Sequence, residues 1–226
     1  MHTHKSKQIE DLPLQQVRIS AMKVVENSAY VMRIPRCGDF LPGQVIGVTT
    51  TPSIPPRLYS LCSGTKDPYW EILFNIQSAG LLTPRLAEIR ANHTVYVSMP
   101  FGSFIDDQTP SWWIAAGTGI APFRSMLRSG LTKDKHLVHG ARKPTEFYFA
   151  DEFRRQLASR YVRCCSQGEG ENLYAGRLTH WLEEQPNVPT DTTYLLCGSA
   201  EMVVQVRDIL LSRGVTFGNI RSEIYF

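Results

Sequence analysis

The hydrophobic rhythm of this chain changes near Pro110, and that change limits what the chain can fold into. Upstream, short apolar runs alternate with turn residues. Val17-Arg18-Ile19, Tyr30 to Ile34, Gln44 to Val48, Glu71 to Ile76 and Thr94 to Val97 read as strands, punctuated by Pro35, Pro42-Gly43, Pro52 and Pro55-Pro56. Many short strands at even spacing predict a small antiparallel β-barrel, with one helix from Thr83 to about Ile89 inside it. Downstream, strand and helix take turns. Trp112 to Ala116, His136 to Gly140, Tyr161 to Cys165, Tyr194 to Cys197 and Ile220 to Tyr225 read as strands, with helices over 122–128, 145–159, 177–184 and 202–213. That alternation predicts a parallel α/β sheet built by crossovers. A chain of 226 residues is expected to form two domains, 1–108 and 109–226.

Composition excludes several partners. Lys and Arg outnumber Asp and Glu by 24 to 21, and the excess is spread: 10 against 9 over residues 1–110, 14 against 12 over 111–226. With no basic stripe, nucleic acid is not an expected partner. No window approaches the ~18 consecutive apolar residues of a membrane span. The start, Met1 to Gln8, is polar and lacks the apolar region of a signal peptide, so the cytoplasm is the expected location; a monomer is expected separately. Cys37, Cys62, Cys164, Cys165 and Cys197 show no metal-type spacing and no iron–sulfur run. They read as free thiols, and no metal is expected.

Four segments and the last residues carry groups suited to a large planar ligand with phosphates. Arg57-Leu58-Tyr59-Ser60 follows a proline-rich turn at a strand start. Arginine offers a planar cation for phosphate, tyrosine a ring for a ring, and serine a small hydroxyl; a plain strand with an aromatic cross-strand contact fits the same residues. Gly80-Leu81-Leu82-Thr83 stands where a strand gives way to a helix, with Thr83 as N-cap ahead of Pro84 at N1. Such a start is either a phosphate site or a mere cap. Gly117-Thr118-Gly119-Ile120-Ala121-Pro122 follows an apolar strand and opens a helix, the context of a nucleotide-binding glycine turn, without the full six-residue dinucleotide fingerprint. Leu195-Leu196-Cys197-Gly198-Ser199 ends another strand, where a buried cysteine is ordinarily packing. Glu223-Ile224-Tyr225-Phe226 places two rings where an exposed end would be polar and frayed.

In this order and spacing the segments resemble the ferredoxin/flavodoxin-NADP reductases of bacterial type, a family of FAD enzymes, from Val17 to Phe226. The resemblance implies an N-terminal six-stranded-type FAD-binding β-barrel and a C-terminal parallel-sheet α/β nucleotide-binding domain. It implies that Arg57 and the Gly80-Leu81-Leu82-Thr83 turn hold the FAD pyrophosphate and that Tyr59 stacks on one flavin face. Ser60 then hydrogen-bonds near N5, while Leu58, Phe74 and Thr118 lie along the cofactor. Gly117, Thr118, Gly119, Ser166, Cys197, Gly198 and Met202 would receive NADPH, and Arg142 and Arg177 its 2'-phosphate. Gln167 stands where relatives often carry a further arginine, and Gly198-Ser199-Ala200-Glu201 holds no proline where most of them have one within a few residues of the cysteine. NADPH is thus favoured over NADH. Ser60, Cys197, Glu223 and Tyr225 are implied at the transfer site, with Tyr225 on the flavin face opposite Tyr59 and Phe226 over the adenine part.

The implied acceptor is ferredoxin or flavodoxin, with Arg85, Arg90 and Arg124 as docking contacts. Two other readings stay open. One is a flavin reductase for which flavin is a substrate; the other is an FAD-binding relay subunit that does not itself oxidise NAD(P)H.

Overall fold

A computed structural model describes residues 11–26 and 29–225. The chain divides into two compact units between Ile105 and Asp106. In the first, the described strands are β1 (Leu14–Arg18), β2 (Ala21–Val25), β3 (Ala29–Pro35), β4 (Val45–Thr49), β5 (Arg57–Ser60), β6 (Tyr69–Phe74) and β7 (Thr94–Ser98). They form two antiparallel sheets, ordered β1-β7-β4-β5 and β2-β3-β6. The expected barrel takes this form, its sheets joined where Leu61 bridges Ile72 and Cys62 N donates to Glu71 O at 2.7 Å. Alternating residues of both sheets, among them Ile34, Ile46, Trp70, Ile72, Phe74 and Val97, make one buried core. Strand β2 has no counterpart in the sequence reading. It lies at a sheet edge and none of its residues is fully buried, so no inward alternation marks it.

Helix α1 (Thr83–Glu88) differs from expectation at its start. Leu82 occupies the N-cap position and no side chain caps the helix. Thr83 is already helical, and its Oγ1 is engaged elsewhere, accepting Gln77 N at 2.8 Å. What fixes the start is burial: Leu82 and Leu86 both point into the core.

The second unit is a parallel sheet of six described strands, ordered β11-β10-β9-β8-β12-β13. They are β8 (Ser111–Ala116), β9 (Lys135–Ala141), β10 (Tyr161–Cys165), β11 (Tyr174–Ala175), β12 (Thr193–Ser199) and β13 (Ile220–Tyr225). The two-residue β11 is too short to show a period. Helices α2 (Ala121–Arg128), α3 (Ala150–Leu157), α4 (Leu178–Glu184) and α5 (Ala200–Ser212) complete the crossovers. The helix expected over 145–159 is shorter because Phe149 and Ala158 adopt positive φ, 61° and 51°, on either side of α3.

Strand alternation sorts the sheet into two faces. Ile114, Val138, Cys164 and Leu196 share a core with Leu178 and Leu182 of α4 and Val203 and Val206 of α5. Trp113 and Tyr161 point the other way, onto Phe123 of α2 and Phe153 of α3, with ring centroids at 5.5 and 5.6 Å. At the amino end of the sheet, Lys135 Nζ bonds Asp106 Oδ1 at 2.6 Å, both side chains at most 2% exposed. Asp106 Oδ2 also accepts Trp113 Nε1 at 3.0 Å and Ser111 Oγ at 3.1 Å. A buried ion pair needs such extra hydrogen bonds to offset its desolvation.

Candidate functional site

In the first unit β5 carries Arg57, Leu58, Tyr59 and Ser60 from exposed to buried. The Arg57 guanidinium has no hydrogen bond or ion pair among the described residues and is open to an anion. Tyr59 is half-buried. Burial holds its hydroxyl above the usual tyrosine range, with the Arg57 charge pulling slightly the other way. Phe74 is 2% exposed. Its ring lies 5.4 Å from Tyr30, stacked, and 6.1 Å from Tyr59, edge-on. Phe74 therefore backs Tyr59 from within the core. The Gly80–Thr83 turn is closed on Gln77: Gly80 N donates to Gln77 O at 2.8 Å, and Gln77 N to Thr83 Oγ1 at 2.8 Å. That closure leaves Gly80 and Leu81 exposed at the tip, Leu81 by 71%.

In the second unit the Gly117–Ile120 turn follows β8 directly. Gly117 adopts φ 56°, with no atom within 4 Å of where a side chain would begin. Left-handed backbone and empty space together leave the Gly117 backbone open to close approach. Gly119 is different. A Cβ there would stand 2.2 Å from the carbonyl oxygen of Cys197 and 2.8 Å from Gly198 N. The approach that Gly119 permits is that of the chain's own β12 end. Gly198 in turn packs against Ala116 and Met202, and Ser199 caps α5 by accepting Met202 N at 3.3 Å. A serine thus caps α5 at its N-terminus.

Register places Arg163, His139, Ala115, Cys197 and Glu223 in one row across β10, β9, β8, β12 and β13. The row crosses the sheet on the α2–α3 face. Cys197 is fully buried. Burial raises its thiol pKa well above the ordinary value, the Glu223 carboxylate raises it further, and a hydrogen bond with Tyr225 lowers it. Three of the residues expected at a transfer site, Cys197, Glu223 and Tyr225, are therefore together. Phe226 lies outside the described residues.

The remaining NADPH candidates fare unequally. Arg142 and Ser166 are exposed, and both backbones are tied to the β9–β10 ends. Arg177 pairs with Glu201 at 3.3 Å, both largely exposed. The docking contacts need one correction: Arg124 is 7% exposed, bonds Glu152 at 2.8 Å and lies 3.9 Å over the Phe149 ring. It packs α2 on α3 and is not available to a partner. Arg90 donates to Ala87 O and Ile89 O, closing its own helix; Arg85 is exposed.

Sequence reading missed His139. The ring is fully buried, meets Tyr161 OH at 3.0 Å through Nδ1, and stands edge-on to Phe147. Burial first and the Arg163 charge second push its pKa down to about 3, while the Gly117 backbone opposes them. A histidine inside an apolar strand, two residues before the strand end, was the available signal. Among the described residues no group of three acidic, histidine or cysteine side chains could hold a metal, and no helix is long and apolar enough to cross a membrane.

Residues 113–208 match the oxidoreductase NAD-binding domain. The chain is 25% identical over 223 residues to the toluate 1,2-dioxygenase electron transfer component of Pseudomonas putida, covering 92% of this chain and 66% of that protein. It is 27% identical to ferredoxin–NADP reductase A of Sorangium cellulosum, covering 72% and 69%. The fold superimposes on a ferredoxin NADP+ reductase from Neisseria gonorrhoeae, solved with bound FAD and NADP, with TM-score 0.85 at 20% identity over 94% of this chain and 99% of that one. The chain spans about half to two thirds of the length of several curated relatives that it matches.

Proposed function

We propose, for a chain that carries an oxidoreductase NAD-binding domain of the ferredoxin reductase family, a flavin-dependent reductase. In this reading it binds FAD, oxidises NADPH in preference to NADH and passes electrons to ferredoxin or flavodoxin. The observation that carries the reading is the pairing of the open Gly117 turn with the buried Cys197 and the half-buried Glu223 and Tyr225 at the same end of one parallel sheet. Ligands of open α/β sheets bind at the carboxyl ends of strands.

The donor sets suit both groups. Arg57 supplies a free cation for the FAD pyrophosphate, and the exposed Gly80–Leu81 tip, held by Thr83 and Gln77, flanks it in our assignment. Tyr59, braced by Phe74, is assigned to the flavin ring, with Ser60 supplying a hydroxyl and Leu58 apolar cover; Tyr225 is assigned to the transfer site with Cys197 and Glu223. Gly117, Thr118, Gly198 and Met202 are assigned to the nicotinamide half of NADPH, and Gly119 to the packing of the turn on β12. Ser166 is assigned to NADPH as well, and Arg142 and Arg177 to its 2'-phosphate. An exposed pair such as Arg177–Glu201 contributes little, so Arg177 can exchange its partner for a phosphate. Bound FAD would supply the conversion between two-electron nicotinamide chemistry and one-electron carriers. Cys197 stays a neutral thiol there, held so by burial first and the neighbouring Glu223 second.

A second reading is favoured by the match to the toluate dioxygenase component over 92% of the chain: a reductase that serves an oxygenase system. Steady-state oxidation of NADPH and NADH by the purified chain, with ferricyanide, ferredoxin or flavodoxin as acceptor, tests both. Fast ferricyanide reduction with slow transfer to ferredoxin and flavodoxin favours the oxygenase reading. No oxidation of either nucleotide with FAD supplied rejects both.

A further inference from the structure

The loop after β9 holds a carboxylate that the assignment above leaves unused. Glu146 ends the Pro144–Glu146 turn, and its Oε2 accepts the backbone N–H groups of Arg142 at 3.1 Å and Lys143 at 3.3 Å. Adjacent amides at the carboxyl end of a parallel strand are groups that an incoming anion can use. Here a side chain already fills them. Glu146 N closes the turn on Lys143 O at 3.0 Å, and Arg142 O accepts Gln167 N at 2.7 Å, so the Arg142 backbone is held from both sides. The exposed Arg142 guanidinium makes no hydrogen bond or ion pair among the described residues, and Glu146 Oε1 likewise has no hydrogen-bond partner among them.

We infer that Glu146 sets nucleotide selectivity at this loop, by accepting a hydrogen bond from a free ribose 2'-hydroxyl and repelling the 2'-phosphate that Arg142 attracts. The inference rests on the proposed nucleotide site. A hydroxyl can donate to the open Oε1. A phosphate brings acceptor oxygens and negative charge to a carboxylate that has taken the nearest backbone donors, which costs it two contacts and adds a repulsion. Arg142 and Glu146 thus pull in opposite directions on one atom of the ligand. Gln167 is neutral and adds charge to neither side. Discrimination between the two nucleotides is therefore smaller than Arg142 and Arg177 alone would give, and it is Glu146 that reduces it.

Equilibrium binding of 2',5'-ADP and of 5'-AMP to the full chain, measured by calorimetry, tests this without any turnover. Glu146→Gln keeps an oxygen acceptor for the two amides and removes the charge. It should tighten 2',5'-ADP by about three-fold or more, with 5'-AMP changing less than about two-fold. Glu146→Ala is a second variant with the same expectation for 2',5'-ADP. Arg142→Ala should weaken 2',5'-ADP and leave 5'-AMP nearly unchanged. If Arg142→Ala behaves so while the Glu146 variants move both probes equally or neither, the selectivity role is rejected and the site stands. If no variant changes either probe, the nucleotide does not reach this loop, and both the assignment of Arg142 and this inference fail.

Discussion

Cys197 stands directly opposite Glu223 across the β12–β13 pair, on the same face of the sheet. Burial and that neighbouring charge both oppose ionisation of the thiol. A thiol is reactive as the thiolate, so Cys197 should resist iodoacetamide at about pH 8 while the partly exposed Cys37 is modified first. Peptide mass spectrometry of the folded protein reads the order. Glu223→Gln should lower the Cys197 pKa, and labelling of Cys197 as fast as Cys37 in the native protein would contradict the burial argument.

Two glycines two residues apart should respond differently to alanine. At Gly119 the new Cβ would collide with the Cys197 carbonyl, and overpacking of this kind costs about 1–3 kcal/mol. At Gly117 nothing stands in the way, and the cost is backbone strain of about 1–2 kcal/mol at positive φ. Urea denaturation should therefore show both variants destabilised, whereas nucleotide affinity should fall further for Gly117→Ala, whose methyl fills the open space. Equal loss of affinity in both would place the ligand elsewhere.

Much of this architecture is legible in the residues, and the parts that are not have a common cause. Trp112 to Ala116 reads as a buried strand because its apolar run is continuous, and the glycine turn after it follows from Gly117 and Gly119. What those glycines approach is a tertiary fact: Gly119 faces Cys197, 78 positions on, with no local trace of it. Thr83 carries the same hydroxyl whether it caps a helix or closes a loop on Gln77. Arg124 reads as a solvated helix residue until Glu152 and Phe149 are seen to enclose it. Strands β2 and β11 escape because an edge strand and a two-residue strand carry no period.

His139 should give the chain a measurable acid sensitivity. Its pKa is about 3 in the folded protein against an ordinary 6.5. As pH falls below 6.5 the unfolded chain takes up a proton that the folded chain refuses until about 3, so stability is full above 6.5 and declines across that window. The decline approaches about 1.4 kcal/mol per pH unit. Urea midpoints of wild type and His139→Gln, compared from neutral pH downward, should converge as the medium becomes acidic. Parallel curves would show that His139 is not held neutral.

Lys135 and Asp106 should be more costly to separate than to remove together. Lys135→Met strands a buried carboxylate, which costs about 3–5 kcal/mol. Adding Asp106→Asn should restore part of that loss, because the amide still accepts from Trp113 and Ser111. A double-mutant cycle by denaturant titration checks the coupling, and simple additivity would mean that the pair is solvated.

Loss of the Arg57 guanidinium should loosen FAD. Charge-assisted hydrogen bonds are worth about 1.5–3 kcal/mol, so Arg57→Ala should weaken FAD by about ten-fold or more. Fluorescence titration with FAD and FMN reads it: the preference of the wild type for FAD should narrow in the variant. An unchanged FAD affinity would remove Arg57 from the pyrophosphate.

The most direct measurement is the absorption spectrum of the FAD-equilibrated chain, mixed anaerobically with NADPH or NADH and then with oxidised ferredoxin or flavodoxin. A flavin band should survive desalting, be bleached by reduced nucleotide, and return when the carrier is added. A chain that retains no flavin, or whose bound flavin keeps its band with both nucleotides, would contradict the proposed function.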